Sequence, residues 1–545
     1  MSSPRPCRIF LRPAGYVRNG ILTMAGLLSF AEVAAGAQSV ESAGSQVADT
    51  NATAGGEEQD PLALHYHLMH PGGESAPGDP NAAFYLDGTY HLHYILRHPW
   101  QGKVSFSFVH VTSPDMLHWE WQPTKLQPAF TGHGMFSGTG FVTKEGRPAV
   151  IYHGQGSGRN QIAVAKDRNL SAWEKPYPVE VRNADGTETD MQHWDPDCFL
   201  IGDTYYGISG GQNPPVFKSK DLKNWIYIGD FMPRDMPDVA LGEDISCPNF
   251  FPLGDRWMLL CISHPLGCRY YLGDWNAEKE QFESEIHGRM NWRREGQDID
   301  RPEYRDFFAP ESVLTPDGRR VMWAWLTTLE EELGQKSIQS LPRELSLAGD
   351  GGLRIRPLRE LETLRQEPIS FKDITVSPPP RMNGGTAMER ICSLEGDAHE
   401  ILVILDRSQA ERKRFGFRLF ADEDNEGLLV LFRPETGTLR LGHSEAPFAV
   451  SDLPPGEDVE LRIFIDKYLV EVFVNSRQAM VAAHMDYLGA NGFEAYTFGA
   501  PTTIRQVDIW RMKSTNQGYQ KARQHRIWLP ETTPASASRP SANKK

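Results

Sequence analysis

Asp79, Asp195 and Glu243 lie in three short stretches, GDPNAAFY, HWDPDCF and GEDISCPNFF, that share one build. Each carboxylate has Gly, Pro or Asn on one side and an apolar or aromatic run on the other. Such flanks suit an acid held at a strand end and facing a pocket better than an acid on a solvated helix face. Inward-facing carboxylates are what glycosidic bond cleavage requires: one acid protonates the leaving oxygen, and a second attacks or stabilises the positively charged sugar. The plain alternative is that Asp-Pro and Asp-Pro-Asn are turn formers. It accounts for one such stretch as well as catalysis does, and for three in this order much less well.

The elements that must position these acids are strands. From Leu62 to Leu347, runs such as TYHLHYIL, PAVIYHGQG, DTYYGISGG, RWMLLCISH and RRVMWAWLT alternate with turn residues, and no long amphipathic helix separates them. A repeat runs through the region: SPDMLHWE, KDRNLSAWE and SKDLKNWI each hold an Asp, then a Leu, then a Trp within three residues. Their leucines, Leu117, Leu170 and Leu222, fall at intervals of 53 and 52 residues, and YYLGDWNAEKEQF is a looser fourth copy. A four-stranded unit of that length is a propeller blade, and residues 62–347 have room for five. A large β-sandwich with coincidental turns is the competing reading. Residues 348–375 read as a linker with a short helical turn at PLRELETL. The alternating runs of residues 376–515, among them HEILVILD, FGFRLFA and DVELRIFIDKYLVEVFVN, read as an antiparallel sandwich. The expected fold is therefore all-β, a five-bladed β-propeller followed by a C-terminal β-sandwich, with a disordered tail at 516–545.

Composition narrows the function classes. With 56 Lys and Arg against 71 Asp and Glu, the net charge of -15 argues against a nucleic-acid partner. Arg5, Arg8, Arg12 and Arg18 precede an apolar stretch from Ile21 to Ala31, and Ala35-Gly36-Ala37 fits a cleavage site. Residues 1–37 read as a signal peptide and 38–61 as a flexible leader, which implies secretion or a periplasmic location and no membrane attachment once cleaved. An uncleaved anchor is the alternative. After Cys7, the five remaining cysteines include no CxxC pair, so neither a disulfide scaffold nor a zinc ribbon is expected, although Cys261 and Cys268 are spaced for a hairpin bridge. His65, His67, His70, His91 and His93 alternate along two segments without matching carboxylates; pocket edge or surface is the reading, and no metal is expected.

In their order, these residues resemble glycoside hydrolase family 32, the retaining β-fructosidases. HYHLMHPGGESAPGDPNAAFYLDGTYHLHY is similar to that family's opening segment, GMFSGTG to its Phe-Ser-Gly motif, WDPDCF to its Asp-Pro motif and EDISCPNFFPL to its Glu-Cys-Pro motif. FFAPESVLTPDGRRVMWAWL and LPRELSL resemble its fifth-blade segment and propeller exit, and RIFIDKYLVEVFVN its sandwich signature. The resemblance implies a funnel-shaped site on a propeller axis. Asp79 would be the nucleophile, Asp195 the transition-state stabiliser and Glu243 the acid/base, with Asp79 and Glu243 roughly 5–5.5 Å apart for a retaining mechanism. Asn81, Trp100, Phe136, Ser137, His193, Trp194, Asp244 and Glu311 are the candidate substrate contacts. For Phe136 and Ser137 the alternative is a strand end, and for the aromatics a place in the core.

The sequence departs from the family pattern at several of these places. Ser75-Ala76-Pro77-Gly78 replaces Trp-Met-Asn, Trp194 stands where Arg is usual, and Ile95 and Glu311 stand where Gln is usual. Glu243 lies four residues before Cys247 instead of next to it, which makes Asp244 its rival. The expectation is a cofactor-free hydrolase of β-fructofuranosyl links in an oligo- or polysaccharide, with the oligomeric state open. An arabinanase-like furanosidase and a non-catalytic carbohydrate-binding propeller remain as alternatives.

Overall fold

The computed structural model describes residues 60–72, 76–237, 239, 243–292, 306–327, 337–378, 385–411, 414–422 and 427–531. The expected signal peptide at 1–37 and all but the end of the leader at 38–61 lie outside the described residues. From Asp60 onward the chain forms one compact unit.

The described residues are nearly all β. Five antiparallel sheets follow one another. The first spans Pro80–Leu86, Thr89–Trp100, Lys103–Ser113 and Glu120–Leu126. The second runs from Met135–Val142 to Tyr177–Pro178, and the third from Pro196–Ile201 to Trp225–Asp230, with Val181–Arg182 added in parallel at its edge. The fourth runs from Ser246–Leu253 to Gln281–Arg289, and the fifth from Asp306–Leu314 to Leu353–Pro357. The first strands of these sheets pack against one another in chain order, and that of the fifth also packs on that of the first. The N-terminal segment helps close this arrangement, since His70 N donates to Ser337 O (2.7 Å) and Gln339 N to Leu68 O (2.8 Å).

The repeat is the turn between the third and fourth strands of the first three sheets. Asp115, Asp167 and Asp221 accept backbone N–H groups of their own turns, and Trp119, Trp173 and Trp225 are buried beneath. The residues that match in conformation are Met116, Leu170 and Leu222, at φ 65°, 57° and 63°. The alignment on Leu117 is thus off by one, because a left-handed backbone position three residues before the Trp, and not a leucine side chain, is what the turn repeats.

Two six-stranded antiparallel sheets follow. Leu428–Arg433 alternates buried and half-buried positions, as a strand with one face on a core should. Two expected boundaries are corrected. Residues 348–375 are not a linker: Leu353–Pro357 completes the fifth sheet, and Arg365–Val376 pairs with Thr502–Met512 in the sixth. Between them only Arg359–Leu364 turns, as a short 3-10 helix. The disordered tail does not begin at 516 either. Gln517–His525 is an α-helix with Tyr519 and Ala522 buried, and Trp528 sets its ring edge on His70. Burial of these apolar side chains outweighs the polar composition around them; residues 532–545 lie outside the described residues.

Candidate active site

All the first strands present their N-terminal ends, and the second strands their C-terminal ends, at one edge of the sheets. Asp79 immediately precedes Pro80–Leu86, Asp195 precedes Pro196–Ile201, and Ser137 lies in Met135–Val142. In four of the five first strands the register slips near this edge: between Pro80 and Ala82, Met135 and Gly138, Ser246 and Asn249, and Phe308 and Pro310. Such bulges re-aim side chains, and here they turn polar groups from neighbouring sheets toward one another.

Asp79 and Asp195 are brought together. Ser137 Oγ donates to Asp79 Oδ2 at 3.0 Å, while Asp79 Oδ1 is buried without a hydrogen bond. Burial pushes the Asp79 carboxyl up to about 7; the Ser137 hydrogen bond opposes the shift and the charge of Asp195 adds to it. Asp195 Oδ2 accepts from Cys247 N (3.1 Å) and from the thiol (3.5 Å). Burial raises this carboxyl as well, against the Cys247 contact.

Asn81 braces the loop. Its Nδ2 donates to Asp79 O at 2.5 Å, and its Oδ1 accepts Gly138 N at 2.8 Å, so it positions Asp79 from a buried place. Gln339, to which no feature of the sequence draws attention, does the same from the far side, donating to Gly78 O at 2.8 Å.

An aromatic wall flanks the acids. Phe106 meets Phe136 (4.9 Å between ring centroids), Phe136 stacks on His153 (6.1 Å), and His153 meets Trp194 (5.9 Å). Trp194 is 45 % exposed although its Nε1 donates to Ser246 Oγ at 2.9 Å. A large, exposed, hydrogen-bonded indole beside two acids is a surface on which a sugar ring can lie.

Four further expected residues have partners of their own. The Glu243 side chain is fully enclosed and ion-paired with Arg269. Burying that charge demands a partner, and Arg269 supplies one. Glu311 is buried with Asp197 and Arg320, whose charges act on it, and burial raises its carboxyl strongly. Asp197 forms a layer one strand-repeat below Asp195, held by Thr139 Oγ1 (2.6 Å) and Phe250 N (2.7 Å). His193 accepts Asn160 N on Nδ1 at 3.2 Å and is lowered to about 4 by burial. Trp100 sits at the tip of the first sheet's long hairpin, opposite Lys103.

Asp244, the rival of Glu243, is held by His264 and Ser246. Its Oδ2 accepts from His264 Nδ1 (2.6 Å) and Ser246 Oγ (2.8 Å), and its Oδ1 accepts His264 N (3.0 Å). Burial would raise the Asp244 carboxyl, but the His264 hydrogen bonds hold it below its usual value. Sequence reasoning passes over His264 and His153. Each stands at the end of a second strand, and the one signal is a His placed where an apolar run stops.

The histidines weighed as metal ligands have other partners. His67 is ion-paired with Asp466 and Glu471, and His91, His93 and His110 stack together in the first sheet. Among the described residues no group of three or more His, Cys, Asp or Glu is arranged to hold a metal ion. Cys198, Cys247, Cys261, Cys268 and Cys392 are free thiols, so the hairpin bridge between Cys261 and Cys268 is not formed. A separate cleft of about 490 Å³, lined by Arg354, Arg356, Arg477, Glu457, Asp458 and Glu460 among others, carries its own ion pairs and none of these groups.

Comparison with known proteins agrees along most of the chain. Residues 74–357 match the glycosyl hydrolases family 32 N-terminal domain, and residues 360–511 the C-terminal domain of the same family. A sucrose-6-phosphate hydrolase of Escherichia coli is 28 % identical over 453 residues, covering 77 % of this chain and 88 % of the relative. A raffinose invertase of Escherichia coli is 27 % identical over 475 residues, with the same shares. In three dimensions, a sucrose-6-phosphate hydrolase from Lactobacillus gasseri superposes with a TM-score of 0.65 at 20 % identity, over 84 % of this chain and 94 % of the other. That last likeness concerns the fold.

Proposed function

The chain belongs to glycosyl hydrolase family 32, and from that membership we propose that its acidic site cleaves β-fructofuranosyl bonds with retention of configuration. The five sheets, whose first strands contact one another in turn, support reading the N-terminal region as a five-bladed β-propeller with the site at one end of its axis. The two six-stranded sheets are then the β-sandwich.

The observation that carries the reading is the pairing of Asp79 with Asp195 beside the aromatic wall. Asp79, with one oxygen held by Ser137 and the other unbonded, is the nucleophile: its free oxygen attacks the anomeric carbon. Asp195 stabilises the charge that develops on the ring. Glu243, ion-paired with Arg269, is the acid/base, and Asp244, hydrogen-bonded to His264, is its rival for that role. The names of the two relatives point to sucrose-type substrates, and the exposed Trp194 in place of an Arg favours a stacked sugar over a bidentate contact. The substrate is the only partner the reading requires, and no cofactor enters it. The N-terminal basic and apolar segment supports export.

The deciding experiment measures fructose released from sucrose, levan and inulin against arabinose released from an arabinofuranoside. Asp79→Ala should abolish fructose release while retaining sugar binding. Unchanged hydrolysis by that variant, or arabinose as the only product, would overturn the reading.

A further inference from the structure

Ser137 and Cys247, which hold Asp79 and Asp195, sit in bulges, where the ladder that would fix a strand is interrupted. We propose that Asp197 is a positioning residue for this site: from one layer below, it clamps the strands that carry Ser137 and Cys247 to the strand that follows Asp195, and so sets how Asp79 and Asp195 face one another. The proposal rests on the β-fructosidase reading, in which Asp79 is the nucleophile; Asp197 itself touches no substrate.

Connectivity is the first observation. Thr139 Oγ1, in the second sheet, donates to Asp197 Oδ1 at 2.6 Å, and Phe250 N, in the fourth, donates to Oδ2 at 2.7 Å. Asp197 lies two residues after Asp195, in Pro196–Ile201 of the third sheet. Thr139 is two residues past Ser137, which donates to Asp79, and Phe250 is three past Cys247, which donates to Asp195. One carboxylate therefore joins three sheets just below the two acids.

The second observation is where the clamp takes hold. Register slips between Met135 and Gly138 and between Ser246 and Asn249, and Ser137 and Cys247 lie inside those slips. Regular pairing resumes at once beyond them, with Thr139 opposite Ile151 and Phe250 opposite Leu259. A bulged strand bends at its slip. Tying the residue just past each slip to one carboxylate fixes how far Ser137 and Cys247 reach toward the acids.

The third is the residue type. Asp197 and Thr139 are both buried, each 2 % exposed. A buried carboxylate costs free energy that an apolar side chain would not, so what it supplies here is direction. Both oxygens serve as acceptors of N–H groups, Oδ1 from Cys198 (2.7 Å) and Oδ2 from Phe250. Asparagine, with one oxygen and one amide nitrogen, would set a donor against a donor at one of them. The charge of Arg320, in the fifth sheet, acts on Asp197, and its guanidinium lies over the Phe251 ring at 4.2 Å.

The clamp is readable on Asp79. Burial leads in raising that carboxyl to about 7, and the Ser137 hydrogen bond is the largest opposing influence. When the second sheet's strand loosens at Thr139, Ser137 withdraws from Asp79 Oδ2. The carboxyl then rises further, and the nucleophile is less ionised near neutrality and less well placed. A side chain that only packed would lower stability without moving that titration.

The test uses Thr139→Val, which removes the clamped hydroxyl at nearly constant shape, Thr139→Ser as its rescue, and Val150→Ala, a cavity in the same sheet, as a change of packing alone. Each is made with and without Asp79→Asn, and the melting temperatures of each pair are followed against pH. The pH at which their difference levels off reports the folded pKa of Asp79, with or without turnover. The proposal expects that pH to rise by about 0.5 unit or more in Thr139→Val, and kcat on sucrose to fall roughly 10- to 100-fold with KM within about 3-fold. Thr139→Ser should match wild type in both readouts, and Val150→Ala should lose stability with the levelling pH unmoved. Asp197→Asn should move both readouts at least as far as Thr139→Val; should it fail to fold, the threonine pair decides. An unmoved levelling pH in Thr139→Val overturns the proposal. So do an equal shift in Val150→Ala, which marks general loosening, and a shifted titration with kcat unchanged. Wild type that releases no fructose from sucrose, levan or inulin is the failure of the β-fructosidase reading, and it shows apart from the stability titration, which judges the clamp by itself.

Discussion

Cys247 points its backbone N–H at Asp195 from a left-handed conformation, φ 46°, with N and Oδ2 3.1 Å apart. The residue sits in the bulge at the start of the fourth sheet, where the register slips between Ser246 and Asn249. A non-glycine residue held at positive φ costs on the order of 1–3 kcal/mol and persists only where its surroundings impose it. Here the strain aims an amide donor at a buried carboxylate.

This relationship makes Cys247 informative to mutate. Cys247→Ser keeps the amide and should leave kcat within a few-fold. Cys247→Val places a β-branched side chain at positive φ; it should lower the melting temperature and reduce kcat by about 10-fold or more, with KM little changed. Equal behaviour of the two variants in steady-state kinetics would separate the bulge from catalysis.

Asp79 links activity to stability. Its folded pKa, raised to about 7 by burial first of all, lies above the ordinary aspartate value of 3.8. The folded state therefore binds the proton more tightly, and stability is lost as pH rises from about 4 to about 7. Asp79→Asn removes that loss. Its melting temperature should match wild type near pH 4 and exceed it above pH 7, at no more than about 1.4 kcal/mol per pH unit between those limits. Wild-type activity should rise through about pH 7 as the nucleophile ionises. A melting-temperature difference that is flat with pH would contradict this account.

The N-terminal segment is bound to the sandwich by a buried charge cluster. His67 Nδ1 meets Asp466 at 2.8 Å, and Arg343 Nη2 meets Glu471 at 2.7 Å, all four side chains wholly enclosed. Burial would lower the His67 pKa, but hydrogen bonds to Asp466 and Glu471 outweigh it and raise the value to about 9. That stabilisation is complete below about pH 6.5 and is lost as pH rises through about 9. Thermal unfolding of wild type should weaken between pH 7.5 and 9.5, and His67→Gln should be less stable at pH 6.5 with most of this alkaline slope gone. Arg343→Ala, which leaves Glu471 uncompensated, should cost about 3–5 kcal/mol.

Trp194 is the exposed end of the aromatic wall. Trp194→Ala should raise KM for sucrose by roughly 10-fold through lost stacking, and should also lower kcat because Ser246 loses its donor. Trp194→Phe should recover KM but not kcat. Isothermal titration on an Asp79→Ala background would report the binding part alone.

Export is checked at the protein level. N-terminal sequencing of the mature chain should begin at Gln38, after Ala35-Gly36-Ala37. A retained Met1 on protein recovered from the membrane would favour an uncleaved anchor.

Local pattern is enough to identify the β-strands and turns, and to single out Asp79 and Asp195. Each of those acids is announced by its own neighbours, a turn former before a buried strand. The repeat is legible too, although its phase is off by one, because positive φ at Met116 is a backbone property that no residue type there announces. The end of the fifth sheet is hidden in LRIRP, whose charged residues obscure its alternation.

What the chain determined by itself is which residues carry charge, which alternate, and where turns interrupt them. Only the tertiary structure decided which carboxylate is enclosed and which is partly open to solvent. Glu243 and Asp244 are adjacent in sequence and chemically alike, yet one is held by Arg269 and the other by His264. The reason is geometric. A bulge adds one residue to a strand and re-aims the side chains around it, and contacts between sheets bring together residues that no local window contains.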